Sequence, residues 1–228
     1  KTFYRLNYMK IFLLVLFFTN IRSFNLCVVG GKSGLGRELV YQSSLDRNKT
    51  VLALTSQPVL RTPCRVNSFT EIKNQPIYIT NKVDKENYWN DLSKFDYEHI
   101  VFTTSARPFK EDYSDRLMCK IIQDLPKSCK TITLISAYGV GDSLKNKDVA
   151  IKAMNDWYLR DVYRVKNEQE KMLDYNMFKN KYPNLKRYIL RPKALSYGKT
   201  LLNSVTRQEL AKNILDNLFM KDTLIDIL

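Results

Sequence analysis

The chain has 228 residues, of which 44% are hydrophobic and 26% are charged. This length and composition indicate one globular domain with a real core and exclude a disordered chain. The formal net charge is +14, but the basic residues are scattered without a compact run, so nucleic-acid binding is not expected. Four cysteines without CxxC spacing and a single histidine provide no metal-ligand set, which also argues against a Ser-His or Cys-His hydrolase.

The N-terminal segment differs from the rest of the chain. The eight apolar residues Ile11 to Phe18 in "MKIFLLVLFFTNIRSF" would span about 12 Å as a helix, too short for a bilayer core of roughly 30 Å. Their number suits a signal peptide. We therefore interpret residues 1–22 as a leader that starts at Met9, with no membrane span in the domain that follows. The alternative is an extra edge strand or a membrane-associating tail.

The leader also resembles the signal part of bipartite plastid-targeting leaders of algae with secondary plastids. In those leaders an aromatic residue follows the cleavage point, as Phe24 follows Ser23 here. The resemblance implies a secretory-route or organellar localisation, with the plastid as one destination.

Strands and helices alternate from residue 23 onward, which predicts a single α/β domain over 23–228. Cys27 belongs to the first apolar run and is expected in the core, whereas a disulfide among the other three cysteines stays open. Because the strands are regularly separated by helices, a parallel sheet with helices on both faces is expected, in three αβα layers. Five strands are predicted at 24–30, 50–55, 76–80, 99–105 and 131–139, with a sixth that begins at 185. Helices are predicted at 36–47, 84–95, 112–125, 150–181 and 206–220, the last with a Thr206–Glu209 capping box.

Three spaced glycines lie between the first strand and the first helix. Gly30, Gly34 and Gly36 would leave room for a pyrophosphate beside the N–H groups at the helix N-terminus. A glycine trio at the first strand–helix junction of an alternating chain predicts a phosphate cradle. The alternative is a tight turn only.

Several stretches resemble the short-chain dehydrogenases/reductases. "GGKSGLG" looks like the cofactor loop of that family, "VFTTSA" like its fourth-strand end, and "LISAYGVGDS" and "LRPKALSYG" like segments of its atypical, NmrA-like NAD(P)-binding members. The likeness covers residues 24–228 and implies a Rossmann-type doubly wound sheet. It places Ser136 where the family orients its substrate and Pro192 where the nicotinamide is enclosed. The resemblance implies these cofactor contacts: Gly30, Lys32, Ser33, Gly34, Leu35, Gly36, Arg37, Thr55, Arg61, Thr104, Ser105, Lys166 and Pro192.

The end of the second strand bears on the choice of cofactor. NAD-binding Rossmann proteins place an acid there for the ribose hydroxyls, but no acid occurs from Thr55 to Arg61. Lys32, Arg37 and Arg61 are candidate partners of a 2′-phosphate, although Arg37 and Arg61 could equally be solvated surface charges. NADP is therefore expected, with NAD left open.

The family's catalytic pair is not intact. Active reductases of the family carry Tyr and Lys four residues apart on one helix; here Lys166 follows Tyr163 by three, and Val162 stands at the usual position. Tyr163 could instead serve packing, and Lys166 could pair with Glu170. Two hypotheses follow. One is an NADP-dependent oxidoreductase of a small carbonyl or alkene, with Ser136, Tyr163 and Lys166 at the reaction. The other is a non-catalytic redox sensor or assembly factor; neither names a substrate or protein partner.

Overall fold

Six parallel strands form the central sheet of the computed structural model, which describes residues 23–32, 34–55, 76–80, 92–105, 114–141, 157–174, 176–192, 195–196 and 205–219. The strand order is β3-β2-β1-β4-β5-β6, the order of a Rossmann-type sheet. Cys27 at the centre lies between Leu52 on one side and Ile100 on the other. The strands are β1 (Ser23–Val29), β2 (Val51–Thr55), β3 (Ile77–Thr80), β4 (Asp96–Phe102), β5 (Thr131–Ile135) and β6 (Lys186–Leu190).

Helices cover both faces of this sheet, as the alternating pattern predicts. They are α1 (Gly34–Ser44), α2 (Ser114–Gln123), α3 (Arg160–Asp174), α4 (Asn176–Lys181) and α5 (Arg207–Phe219). Leu26 and Val28 of β1 pack with α1 and α5, whereas Cys27 and Val29 pack in a second cluster with α2, α3 and α4. The fold is therefore a three-layer αβα sandwich. A short parallel pair, β7 (Leu195–Ser196) and β8 (Val205–Thr206), precedes α5.

The predicted helix 150–181 is wrong as one element, because its described part consists of the two helices α3 and α4. A guanidinium N–H of Arg187 donates to the carbonyl of Leu173 at 3.3 Å, which satisfies a backbone group at the end of α3. Leu173 and Phe178 on either side of the break are buried in the same core cluster. The break therefore brings both helices onto one face of the sheet.

Other boundaries shift by a few residues. β4 begins at Asp96 and ends at Phe102, where Thr103 turns to bond Val29, and β5 ends at Ile135. The capping box is confirmed: Glu209 N donates to Thr206 Oγ1 and Thr206 N to Glu209 Oε2, both at 3.1 Å. The leader 1–22, most of the predicted helix 84–95 and the start of the predicted helix 150–181 lie outside the described residues.

The cysteines are described in part. Cys27 is fully buried, as expected, while Cys119 and Cys129 are free thiols and Cys64 lies outside the described residues. Within the described ranges no three His, Cys, Asp or Glu side chains gather closely enough to hold a metal ion. Of the described helices, none combines the length and apolarity needed to cross a membrane.

Candidate functional site

The predicted site residues that the structure describes follow the carboxyl ends of the sheet strands or lie on the helices beside them. The glycine loop follows β1, and Thr104 and Ser105 follow β4, its neighbour in the sheet. Strand order reverses between β1 and β4, and in open α/β sheets ligands bind in the crevice at such a switch point. Ser33 and Arg61 lie outside the described residues. The site is thus the β1–β4 crevice and its walls.

Hydrogen bonds from neighbouring strands fix the start of the glycine loop. The backbone N–H groups of Gly30 and Gly31 donate to the Leu54 carbonyl at 2.9 and 3.2 Å. The Thr103 hydroxyl donates to the Val29 carbonyl at 2.9 Å from the other side. The loop therefore leaves the sheet in one defined direction and delivers the chain to α1.

The three glycines differ in what surrounds them. A Cβ on Gly36 would overlap the Gly30 carbonyl oxygen and lie 2.6 Å from Thr103 Oγ1, so Gly36 serves close packing of α1 on the loop. Gly30 has φ +95° and similar crowding from Thr103. Gly34 has φ +59°, but its Cβ position is open except for Arg207 Nε at 3.8 Å. Gly34 thus leaves space at the N-terminus of α1, where a ligand could approach the backbone.

The other predicted site residues near the glycine loop and at the end of β2 are partly exposed and partly buried. Lys32 and Arg37 are exposed and stand at the loop and at the first turn of α1. Leu35 is 5% exposed and packs in the core, so only its backbone can face a ligand. Thr55 is buried at the end of β2. Lys32 and Arg37 are therefore the exposed charged side chains among these residues.

Two hydroxyl oxygens of the crevice are buried without a hydrogen-bond partner in the described part of the chain. They are Thr104 Oγ1 after β4 and Ser136 Oγ after β5. Ser105 next to Thr104 is half-buried. A buried polar atom is usually hydrogen-bonded, and an exception calls for an explanation such as a ligand. Both atoms stand at the strand ends where the sequence predicts contacts.

Lys166 is buried beneath the crevice. Its ammonium donates to the Thr104 and Ile135 carbonyls, both at 2.6 Å, and to Gln169 Oε1 at 3.1 Å. Only 3% of the residue is exposed. Lys166 therefore joins the segment that follows β4 to the last residue of β5. The predicted alternative partner, Glu170, forms a bidentate ion pair with Arg191, at 2.8 and 3.0 Å.

Tyr163 lies one helical turn before Lys166 but contacts a different segment. Its hydroxyl donates to the Tyr138 carbonyl at 2.8 Å. The Tyr138 N–H in turn donates to the Pro192 carbonyl at 3.2 Å, and the Ser136 N–H to the Leu190 carbonyl at 2.7 Å. The structure thus brings Ser136, Tyr138 and Pro192 together beyond the ends of β5 and β6, with Tyr163 above them on α3.

Several contributors to the site lack a signal in the sequence. Thr103 anchors β1, Gln169 shares the Lys166 ammonium, and Arg207 approaches Gly34 from the start of α5. Gly141, with φ +56°, lies against the Glu170–Arg191 pair. Only the φ requirement of Gly141 could have been suspected, because "YGVG" contains two turn-forming glycines. The other contacts depend on tertiary placement.

A groove of about 1260 Å³ lies at the opposite edge of the sheet, at the amino ends of β4, β5 and β6. Glu98, His99 and Lys130 line it, with a Lys130–Glu98 ion pair at 3.1 Å. Burial lowers the pKa of His99, an effect that Glu98 partly opposes. No predicted site residue lines this groove, so it is separate from the β1–β4 crevice.

Solved structures with the same architecture are dehydrogenase-like proteins. The chain superposes on an anaerobillin reductase from Escherichia coli O157:H7 with TM-score 0.59 at 16% identity, over 86% of this chain and 91% of that one. It superposes on a short-chain dehydrogenase/reductase from Veillonella parvula with TM-score 0.60 at 15% identity, over 87% of this chain and 88% of that one. It superposes on an oxidoreductase from Lactococcus lactis with TM-score 0.57 at 16% identity, over 85% of this chain and 84% of that one. The fold is the one that short-chain dehydrogenases/reductases adopt. No family model matches the sequence, and no curated protein matches it.

Proposed function

We propose that this chain is an atypical, NmrA-like member of the short-chain dehydrogenases/reductases that binds NAD(P) in the β1–β4 crevice. The observation that carries the proposal is the glycine loop. Gly34 keeps open space over the N-terminus of α1, while Gly30 and Gly36 let the loop pack against the helix. The names of the three solved structures of the same fold agree with it.

The residues present fit a dinucleotide. Backbone N–H groups at the N-terminus of α1 attract a pyrophosphate, and a Cβ on Gly34 would fill the approach to them. The unpartnered hydroxyls of Thr104 and Ser136 supply hydrogen-bonding groups farther along the crevice, at the ends of β4 and β5. A ligand that runs across the sheet from α1 towards β5 would pass the strand ends that carry both.

The proposed cofactor is NADP. The described end of β2 carries Thr55 and no acid, and two exposed cations, Lys32 and Arg37, occur on the glycine loop and in the first turn of α1. A carboxylate at this place would repel a 2′-phosphate, whereas a lysine or arginine attracts it. Arg61 is a further candidate from the sequence.

We propose an oxidoreductase of a small carbonyl or alkene as the activity. The bound nicotinamide would supply the hydride. Ser136 Oγ is the group in position to hydrogen-bond a substrate oxygen, because it is buried at the end of β5 and has no other partner among the described residues. Tyr163 or a water would donate the proton, and Tyr163 would first have to release the Tyr138 carbonyl.

A second function is favoured by one observation, the inward position of Lys166. In the family the equivalent lysine contacts the cofactor ribose, but here its ammonium donates to Thr104 O, Ile135 O and Gln169 Oε1. A lysine committed to the fold does not assist a tyrosine in proton transfer. This observation supports a non-catalytic redox sensor or assembly factor that binds the same dinucleotide.

Turnover separates the two candidates. The full chain is incubated with NADPH and a panel of small aldehydes, ketones and activated alkenes, and the absorbance of the reduced nicotinamide is followed. Oxidation that is lost in Ser136→Ala, with Ser43→Ala as the matched buried-serine control, supports the oxidoreductase. Tight binding without oxidation of any substrate class favours the sensor.

We also propose that residues 1–22 act as a secretory-route or organellar leader. Fusion of residues 9–24 to a fluorescent protein tests it, with Leu13 and Leu14 changed to Asp as the control. A cytosolic signal from the unchanged fusion would contradict the proposal.

A further inference from the structure

Arg207 lies where the last helix meets the glycine loop. Its Nε is 3.8 Å from the position that a Cβ on Gly34 would occupy. Apart from the chain neighbours of Gly34 and the backbone of α1 itself, no other atom of the described residues lies within 4 Å of that position. The open side of Gly34 therefore faces the guanidinium.

The fold sets this placement. Thr206 and Glu209 cap α5 so that Arg207 is its first residue. Gln42 Nε2 of α1 donates to the Gln208 carbonyl at 3.1 Å, which ties the start of α5 to α1. Leu210 of α5 packs in the same core as the apolar face of α1. Arg207 is thus held beside the loop by contacts along both helices.

The elements that meet at the glycine loop carry several positive groups. The N-terminus of α1 carries the positive end of the helix dipole, and its first turn has no acidic residue. Lys32 and Arg37 are exposed cations of the loop and of the first turn of α1, and Arg207 is a half-buried cation in the first turn of α5. The first acid along α1 is Glu38, in its second turn and buried. A helix dipole and nearby cations both favour an anion at such a place.

The space over Gly34 lies between the N-terminus of α1 and the Arg207 guanidinium, and the chemistry of both matches a phosphate group. Backbone N–H groups at a helix N-terminus and an arginine fork are both preferred donors to phosphate oxygens. Here they approach the same open space from different elements. A pyrophosphate over Gly34 would lie within reach of both.

We propose that Arg207 is a pyrophosphate-binding residue and forms the second wall of the cradle, opposite the α1 N-terminus. The proposal rests on the proposed dinucleotide binding and adds the last helix of the domain to it. Arg207 acts on binding and takes no part in the reaction. Arg207 contacts the pyrophosphate, whereas other cations contact the 2′-phosphate.

The test is calorimetric titration of the full chain with NADPH, comparing wild type with Arg207→Gln. Loss of a charged hydrogen bond is expected to weaken binding about tenfold to hundredfold. Arg207→Lys keeps the charge and should recover part of it. Lys212→Gln removes one exposed cation from the same helix and should bind NADPH as wild type does. Adenosine 2′-monophosphate lacks the pyrophosphate, so its affinity should not change in Arg207→Gln.

The outcomes are distinct. If wild type binds NADPH and Arg207→Gln binds it with the same affinity, the role of Arg207 is overturned and the proposed function stands. The same holds if Arg207→Gln loses as much affinity for adenosine 2′-monophosphate as for NADPH. No binding of NADPH or NADH by wild type overturns both. If circular dichroism shows that Arg207→Gln is unfolded, phenylglyoxal labelling of the wild type decides. NADPH should protect Arg207, and unchanged labelling overturns the proposal.

Discussion

Replacement of Lys166 by methionine should destabilise the fold, and the size of the loss follows from the contacts of its ammonium. The side chain is buried and donates to the carbonyls of Thr104 and Ile135 and to Gln169 Oε1. Methionine keeps the length of the side chain and packs well in a core but donates no hydrogen bond. Lys166→Met therefore leaves three acceptors without their donor.

The magnitude is a balance of two effects. Each buried acceptor left without a partner costs about 1–3 kcal/mol. Methionine recovers part of this loss because it removes a charge that was costly to bury. We expect a net decrease of about 2–4 kcal/mol in the free energy of unfolding, a large share of the roughly 5–15 kcal/mol that a domain has.

Urea unfolding followed by circular dichroism measures the change. The matched control is Lys171→Met on the same helix, where the side chain is 63% exposed and its ammonium pairs with Glu168 at 2.8 Å. An exposed pair of this kind contributes less than about 1 kcal/mol. If Lys166→Met lost no more stability than this control, the stabilising role of Lys166 between the segment after β4 and the end of β5 would be refuted.

Three further predictions concern the loop, the single histidine and the buried ion pair. Gly36→Ala should lower the free energy of unfolding by about 3 kcal/mol, because the added Cβ overlaps the backbone. Gly34→Ala should lower it by about 1 kcal/mol, because the residue has a left-handed φ. Equal losses in thermal unfolding would contradict the different roles of the two glycines. Burial lowers the pKa of His99, so the unfolded chain binds the proton first and stability should fall as pH drops below about 6.5, a slope that urea titrations should find reduced in His99→Gln. An unchanged slope would contradict this. Arg191→Met leaves Glu170 buried without its bidentate partner and should cost about 3 kcal/mol in urea unfolding, less when combined with Glu170→Gln; an equal or larger loss in the double variant would argue against the pair.

Strands and helices were predictable where the sequence carries its own pattern. β1, β2 and β5 are short apolar runs buried on both faces, as parallel strands require, and they were found by that alone. The end of α3 was not predictable from local sequence. The Leu173 carbonyl at this end accepts a hydrogen bond from Arg187, which lies fourteen residues away in sequence. Periodicity continues across such a break.

The candidate site was predictable only where a local sequence pattern marks its residues. The glycine positions follow from local backbone needs, so Gly30, Gly34 and Gly36 could be assigned from spacing. The partners of Lys166 are mostly backbone carbonyls, which have no residue-type signature. Arg207 reaches the loop only through the packing of α5 on α1. Both positions depend on the tertiary fold.

Binding of a dinucleotide over Gly34 can be measured by calorimetric titration of the wild-type full chain and of Gly34→Ala with NADPH and NADH. We expect wild type to bind both and to favour NADPH. Gly34→Ala, folded by circular dichroism, should bind at least about tenfold more weakly, because a methyl group occupies the approach to the α1 N-terminus. Absence of binding by wild type, or unchanged affinity in the folded variant, would refute dinucleotide binding over Gly34.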